Sequence, residues 1–205
     1  MKLLLLISLI FTICSCKIPY KTIESNSDTK FYPIYFISET TSLLYKAKVE
    51  TFGKYYSGLL FIKPSSSDTV RIIFMSEIGL KFFDFEINGN DNKINYCFES
   101  MNKEYIANTL VNDLRLMLLK IVAKKIKYYQ TSNSDITIVK YIKPKRTLCA
   151  FQKLDDVIVE LKHRNSIAKS VKIMYSDYDN KIPKKIKILH KYIKLSIELN
   201  LLEKK

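Results

Sequence analysis

The stretch LKFFDFEINGNDNKINYCF, residues 80–98, decides the fold. The apolar and aromatic run from Leu80 to Ile87 is typical of a buried strand, and Lys93 to Phe98 form a second run. Between them, residues 88–92 (NGNDN) are Asn, Gly and Asp, which adopt positive φ at low cost and favour a hairpin turn. The stretch therefore predicts two consecutive antiparallel strands.

Similar strand-like runs recur on both sides of this hairpin, about ten to fourteen residues apart, with short polar turns between them. The run from Thr69 to Met75 is β-branched and apolar, which predicts burial on both faces or nearly so. The last run, Tyr192 to Leu199, alternates apolar and polar residues. Short turns between such runs indicate an antiparallel meander and not βαβ units. The other predicted strands are residues 45–50, 56–62, 128–129, 136–142, 147–151, 157–162, 170–175 and 185–189.

One amphipathic helix interrupts the strands. Its apolar residues recur at three- and four-residue spacing, and Asn102 is the predicted N-cap. Further leucines widen the apolar stripe, so the helix is expected to pack into a concave surface or to lie under a sheet. The stripe and its extension are Ile106, Leu110, Leu114, Met117, Ile121, Leu116, Leu118 and Leu119. The sequence predicts a mainly β (α+β) fold: an antiparallel curved sheet with one embedded helix.

The N-terminus has the pattern of an export signal. Met1 and Lys2 precede an apolar run from Leu3 to Ile13, which is too short to span a bilayer but suits the central region of a signal peptide. The run Ile13-Cys14-Ser15-Cys16 resembles the lipobox of bacterial lipoproteins. That resemblance implies cleavage after residue 15 and fatty acyl groups such as palmitate on Cys16. An ordinary secretory signal with incidental cysteines is the alternative.

The predicted organisation is a signal peptide at 1–15, a lipidated cysteine and polar tether at 16–40, and a single domain at 41–205. The net charge is +14, with 34 Lys and Arg against 20 Asp and Glu. The basic excess lies in residues 101–205. Two interpretations stay open: a basic face for anionic lipid or another acidic partner, or lysines spread over solvated surfaces. Nucleic acid is not an expected partner of an exported chain, and the oligomeric state is left open.

The order of elements resembles the superfamily of periplasmic lipoprotein carriers and outer-membrane lipoprotein receptors. The similarity rests on Phe52-Gly53, on residues 57–61 (SGLLF), on the run from Met75 to Phe85 before the helix, and on residues 182–188 (IPKKIKI). It implies an open half-barrel with the helix on its concave side. Receptor-type members usually contain Trp and present a protruding loop with an exposed Leu. This chain has no Trp, and the sequence identifies no such loop.

An open half-barrel implies an apolar cavity beneath the helix, which is a default site for acyl chains. The expected lining is Phe61, Phe74, Phe82, Phe83 and Phe85, with Leu110, Leu114 and Met117 as a lid. The same residues could simply form the core.

Two cysteines remain beyond the export signal, Cys97 and Cys149. Export permits a disulfide between them. The alternative is that both are small buried hydrophobic residues, since the sequence does not supply the geometry that would decide.

No catalytic constellation is identified. The only histidines are His163, expected in a solvated turn, and His190, expected on a strand at or near the surface. Asp177 and Asp179 lie in an expected hairpin turn, so turn chemistry explains them more simply than Ca²⁺. We therefore expect a protein that is not an enzyme and has no metal and no cofactor.

Two functions follow. The first is a membrane-anchored lipoprotein that binds lipid or lipidated protein in the half-barrel cavity, on the outer membrane facing the periplasm. The second is a structural or interaction lipoprotein of an envelope assembly, with a filled core.

Overall fold

The computed structural model describes residues 21–22, 41–51, 53–66, 69–88, 91–118, 125–130, 136–143, 146–153, 158–164 and 170–204. At 21–22, 125–130, 136–143, 146–153 and 164 the description is of the backbone alone. The predicted signal peptide, Cys16 and most of the predicted tether lie outside these residues. The described part of the chain contains no helix long and apolar enough to cross a membrane.

Thirteen strands and one α-helix make up the described chain. The helix, α1, spans Glu104–Met117 and follows a 3₁₀ turn at Glu99–Met101. The strands are β1 (Lys21–Thr22), β2 (Leu43–Thr51), β3 (Lys54–Pro64), β4 (Thr69–Met75), β5 (Lys81–Asn88), β6 (Asp91–Cys97), β7 (Lys125–Gln130), β8 (Ile136–Lys143), β9 (Arg146–Lys153), β10 (Ile158–Arg164), β11 (Ser170–Asp179), β12 (Ile182–His190) and β13 (Leu195–Lys204).

The strands form one sheet in the order β1-β7-β8-β9-β10-β11-β12-β13-β2-β3-β4-β5-β6. All neighbouring strands in this order are antiparallel. The sheet is thus two meanders, β2 to β6 and β7 to β13, joined where the last strand pairs with β2. The sheet is not closed, and its edge strands are β6 and β1. The predicted mainly β fold, an open antiparallel half-barrel with one helix, is confirmed.

The inner face of the sheet is its helix-covered face, and the burial pattern identifies it. Leu43, Tyr45, Ala47 and Val49 of β2 are buried, whereas the residues between them are half-buried or exposed. The strands β4, β11 and β13 alternate in the same way. Since α1 connects β6 at one edge to β7 near the other, it has to cross one face of the sheet. It buries Ile106, Ala107, Leu110, Val111, Asp113, Leu114 and Met117. The opposite face is called the outer face.

Polar contacts hold α1 in place on the inner face. The Asp113 Oδ2 lies 2.7 Å from His190 Nε2 at the end of β12, and only 3% and 8% of these two side chains are exposed. The Tyr175 hydroxyl of β11 donates to the Met117 carbonyl at 2.8 Å, at the last residue of the helix. This bond satisfies one of the carbonyls that every helix C-terminus leaves without an intrahelical partner.

Several local predictions differ from the structure. Lys103 and not Asn102 is the N-cap, and its side chain makes no capping hydrogen bond, because the 3₁₀ turn delays the start of α1. The last strand begins at Leu195 and not at Tyr192, since residues 191–194 form a bend and the Leu195 amide donates to the Ile193 carbonyl. His163 lies half-buried in β10 and not in a turn.

The predicted tether also contains regular structure. Residues Lys21 and Thr22 form β1, in register with Gln130 and Tyr129 of β7. The chain therefore meets the sheet edge well before the expected domain start at residue 41.

Candidate functional site

The predicted lining residues are divided between the two faces of the sheet. Seven of them belong to one buried core on the inner face: Phe74, Phe82, Phe83, Phe85, Leu110, Leu114 and Met117. Phe61 is half-buried and lies on the outer face, because it alternates with the buried Leu60 and Ile62 along β3.

The aromatic side chains among the seven pack against one another. The Phe83 and Phe85 rings stack with centroids 4.5 Å apart, and Phe74 lies 4.9 Å from Phe82 and 5.4 Å from Phe83. All four rings are buried, and so are the three helical residues above the sheet. At these positions the space between α1 and the sheet is filled by side chains, as a core is.

An apolar groove of about 400 Å³ lies on the outer face, across the start of β2, the end of β3 and the second half of β4. Its size falls in the usual range of small-molecule sites. Phe61 pairs with Leu44 of β2 and with Ile73 of β4, so three apolar side chains stand side by side across three strands. We call it the outer groove; its lining is Ser42, Leu43, Leu44, Phe61, Ile62, Lys63, Arg71, Ile73, Met75 and Glu203.

Charged side chains stand at the edge of this groove. The Arg71 guanidinium binds Asp84 through two hydrogen bonds, Nε to Oδ1 at 2.9 Å and Nη2 to Oδ2 at 2.8 Å. The Lys81 ammonium adds a third contact to Asp84 at 3.1 Å. The Arg71 hydrogen bond is the main cause that lowers the pKa of Asp84 to about 2. Asp84 is therefore ionised at neutral pH and fixes Arg71 beside the groove.

The turn between β4 and β5 carries an exposed apolar side chain. Ile78 is 94% exposed, and Leu80 is also exposed. The Ser76 amide donates to the Leu80 carbonyl and its hydroxyl accepts from the Leu80 amide, so the turn is closed by hydrogen bonds. Gly79 has a φ of +89°, a region that favours glycine. The fold thus presents Ile78 to solvent just beyond Met75, which lines the outer groove.

Sequence reasoning missed both the groove and Ile78. The available signal was the run from Thr69 to Met75, predicted to be buried on nearly both faces: Ile73 and Met75 are half-buried on the outer face although they face away from the core. A turn that contains Ile and Leu around a glycine was the second signal.

The possible disulfide between Cys97 and Cys149 is not formed in the structure. Cys97 is a free thiol at the end of β6, and eight strands separate β6 from β9, which carries Cys149. Burial raises the pKa of Cys97 to about 11, so its thiol stays protonated and unreactive at neutral pH.

Several polar side chains that the sequence singles out are paired with other residues in the structure. No group of three His, Cys, Asp or Glu among them could hold a metal ion. His190 is engaged with Asp113 beneath α1. Asp177 and Asp179 lie at the end of β11, where Asp177 forms an ion pair with Lys185 and Asp179 with Lys204.

The fold and site define an open antiparallel half-barrel that carries an apolar groove on its outer face. The chain matches no protein-family profile, and no curated protein matches its sequence.

Proposed function

We propose that this chain is a membrane-anchored lipoprotein that binds an acyl chain, from lipid or from a lipidated protein, in the outer groove. The observation that carries the proposal is the groove itself: an opening of about 400 Å³ with an apolar floor on a sheet face that carries many charges. The sequence predicts the acyl site beneath α1. The packed rings there favour the outer groove, which Phe61 alone of the expected lining residues reaches.

The chemistry of the groove suits an amphipathic chain. Phe61, Ile73 and Met75 offer an apolar surface to methylene groups, each of which contributes about 0.8 kcal/mol when fully buried. Lys63, exposed at the same groove, would hold a carboxylate or phosphate head group, whereas the Arg71 guanidinium is already paired with Asp84. The Glu203 carboxylate at the same groove would repel a second anion, so we expect the groove to bind one head group at a time.

Ile78 gives the groove an entrance for a lipidated partner. Receptors of the half-barrel superfamily present an exposed apolar residue on a protruding loop, and Ile78 is such a residue on a closed turn. The Glu77 carboxylate of the same turn forms an exposed ion pair with Lys46 of β2 at 3.1 Å, so the turn lies beside the outer face. An acyl chain received at Ile78 would next meet Met75.

The anchor is proposed on Cys16. Lipid on this residue would hold the protein on the outer membrane, facing the periplasm. Two or more acyl chains are needed for stable anchoring, because a single chain binds a bilayer only marginally.

Photo-crosslinking tests the groove. Protein in detergent is mixed with a fatty acid that bears a diazirine near its methyl end, irradiated, digested and sequenced by mass spectrometry. We expect crosslinks on Phe61, Ile73 and Met75. Ile73→Glu should abolish them by placing a carboxylate on the apolar floor, whereas Ser57→Glu, exposed on β3 outside the groove, should leave them unchanged. Crosslinks on α1, or crosslinks that survive Ile73→Glu, would refute the groove as the site.

Ile78→Glu tests the entrance. Because Ile78 is almost fully exposed, the substitution should change the free energy of unfolding by less than about 0.5 kcal/mol. It should still lower the yield of crosslinks to a lipidated peptide severalfold while free fatty acid crosslinks as before. Equal yields with the lipidated peptide would exclude a role for the turn.

A second function, a structural or interaction lipoprotein of an envelope assembly, is favoured by the filled inner core. This second function predicts that the yield of crosslinks to the outer groove, with fatty acid or with lipidated peptide, is no higher than the yield in the Ile73→Glu variant.

A further inference from the structure

The register of five adjacent strands brings basic residues together on the outer face. In one row across β7, β8, β9, β10 and β11, the paired residues are Lys127, Lys140, Cys149, Lys162 and Lys172. In the next row they are Lys125, Ile142, Thr147, Arg164 and Ser170. Six of these ten positions are basic and none is acidic. We call these two rows the cationic rows.

The strand β11 shows which face the cationic rows occupy. Val171 and Ile173 are buried on the inner face, and Lys172 between them is half-buried on the outer face. Residues paired across a sheet share a face, so the whole row of Lys172 belongs to the outer face. The five strands span about 19 Å, a width that several lipid head groups would cover.

The row beside them is largely apolar and aromatic. Its residues are Tyr129, Ile138, Phe151, Glu160 and Met174. The Glu160 carboxylate contacts Lys162 at 2.6 Å and Lys172 at 2.7 Å, and it is the only acidic residue in the three rows. Aromatic residues beside lysines and arginines are typical of surfaces that lie at the head-group level of a membrane.

The chain enters the sheet at the same place. Strand β1 begins at Lys21, five residues after Cys16, and pairs with β7 at the edge of the cationic rows. Five extended residues reach about 18 Å at most. A lipid on Cys16 would therefore keep this end of the sheet close to the bilayer, whereas the outer groove lies on β2 to β4, several strands away.

We propose that the cationic rows dock on the anionic phospholipid head groups of the membrane that holds the anchor. The proposal rests on the proposed lipidation of Cys16, which brings the rows to the surface. The cationic rows lie on β7 to β11 and the outer groove on β2 to β4, so the strands that dock are not the strands that carry the groove.

Lysine labelling tests the docking. Protein with its native N-terminus is reconstituted in vesicles of phosphatidylcholine, alone or with about 30 mol% phosphatidylglycerol. An amine-reactive acetylating reagent is added, and mass spectrometry measures the rate at which each lysine is acetylated. Labelling of Lys125, Lys127 and Lys140 should slow at least about threefold in the anionic vesicles and recover in about 1 M salt, where the Debye length is near 3 Å. Lys48 and Lys54, exposed on β2 and β3, are internal controls and should be labelled equally in both.

A matched pair of variants supports the assignment. Flotation of protein with Cys16 replaced by Ser, which removes the anchor, measures the salt sensitivity of vesicle binding when Lys125, Lys127 and Lys140 are replaced by Gln, and again when Lys48, Lys54 and Lys103 are replaced by Gln. Only the first set should lose the preference for anionic vesicles. Equal labelling of the three row lysines in both vesicles, with Cys16 acylated, would overturn the docking alone. An unmodified Cys16 peptide would overturn the anchor, and the docking with it.

Discussion

Gly58 shows how closely β3 and β4 approach at the residue scale. A Cβ built on Gly58 would lie 2.0 Å from the Met75 carbonyl oxygen and 2.8 Å from its carbon. These are backbone atoms and cannot give way as a flexible side chain can. Glycine is therefore required here by contact, since Gly58 does not have a positive φ.

We expect Gly58→Ala to destabilise the protein by about 1–3 kcal/mol or more, because β3 and β4 must separate to admit the methyl group. Urea unfolding measures the effect. The neighbouring exposed Ser57→Ala should change the free energy of unfolding by less than about 0.5 kcal/mol. A Gly58→Ala protein as stable as Ser57→Ala would show that the strands are not in contact at this point.

Asp84 governs acid stability at the same scale. Its pKa in the folded protein, about 2, is below the ordinary value of 3.8 because Arg71 and Lys81 bind the carboxylate. The ionised carboxylate therefore stabilises the fold above about pH 4, and this contribution is lost as the pH falls from about 4 towards 2. Asp84→Asn should cost about 1–3 kcal/mol at pH 7 and much less at pH 2. Unfolding curves at both pH values test this, and a cost that does not change with pH would contradict the ion pair.

At the scale of elements, α1 depends on a buried polar contact as well as on its apolar stripe. Burial raises the pKa of Asp113, and the hydrogen bond to His190 opposes that rise. Removing one member of such a pair leaves the other buried without its partner, which is more costly than removing both.

His190→Ala should therefore destabilise the protein by about 3 kcal/mol. Leu at both Asp113 and His190 should recover more than half of that loss, because an apolar pair needs no hydrogen bond. Urea unfolding compares the two proteins. A His190→Ala protein as stable as the original protein would mean that the contact between α1 and β12 contributes nothing.

The elements themselves were largely predictable from the sequence. The hairpin of residues 80–98 and the stripe of α1 follow from local periodicity, which a single chain displays directly. The contact between Asp113 and His190 was not predictable, because 77 residues separate the two and only the crossing of the helix brings them together. The N-cap was misplaced for a local reason. Asn102 is the C-cap of the preceding 3₁₀ turn, so α1 begins after it.

At the scale of the whole molecule, the sheet order explains which parts of the site could be foreseen. Alternation shows which residues share a face but not which strands become neighbours, and the pairing of β13 with β2 is what places Glu203 at the outer groove. Phe61 was expected to line the concave face, whereas it lies on the outer face. The register of β7 to β11 likewise gathers lysines that are dispersed along the sequence.

The lipid anchor is the claim on which compartment, orientation and partners depend. Mass spectrometry of the N-terminal peptide, from protein purified out of its own membrane, tests it most directly. We expect the peptide to begin at Cys16 and to carry the mass of a diacylglyceryl group with or without an N-acyl chain. A peptide that begins at another residue, or an unmodified Cys16, would contradict the account.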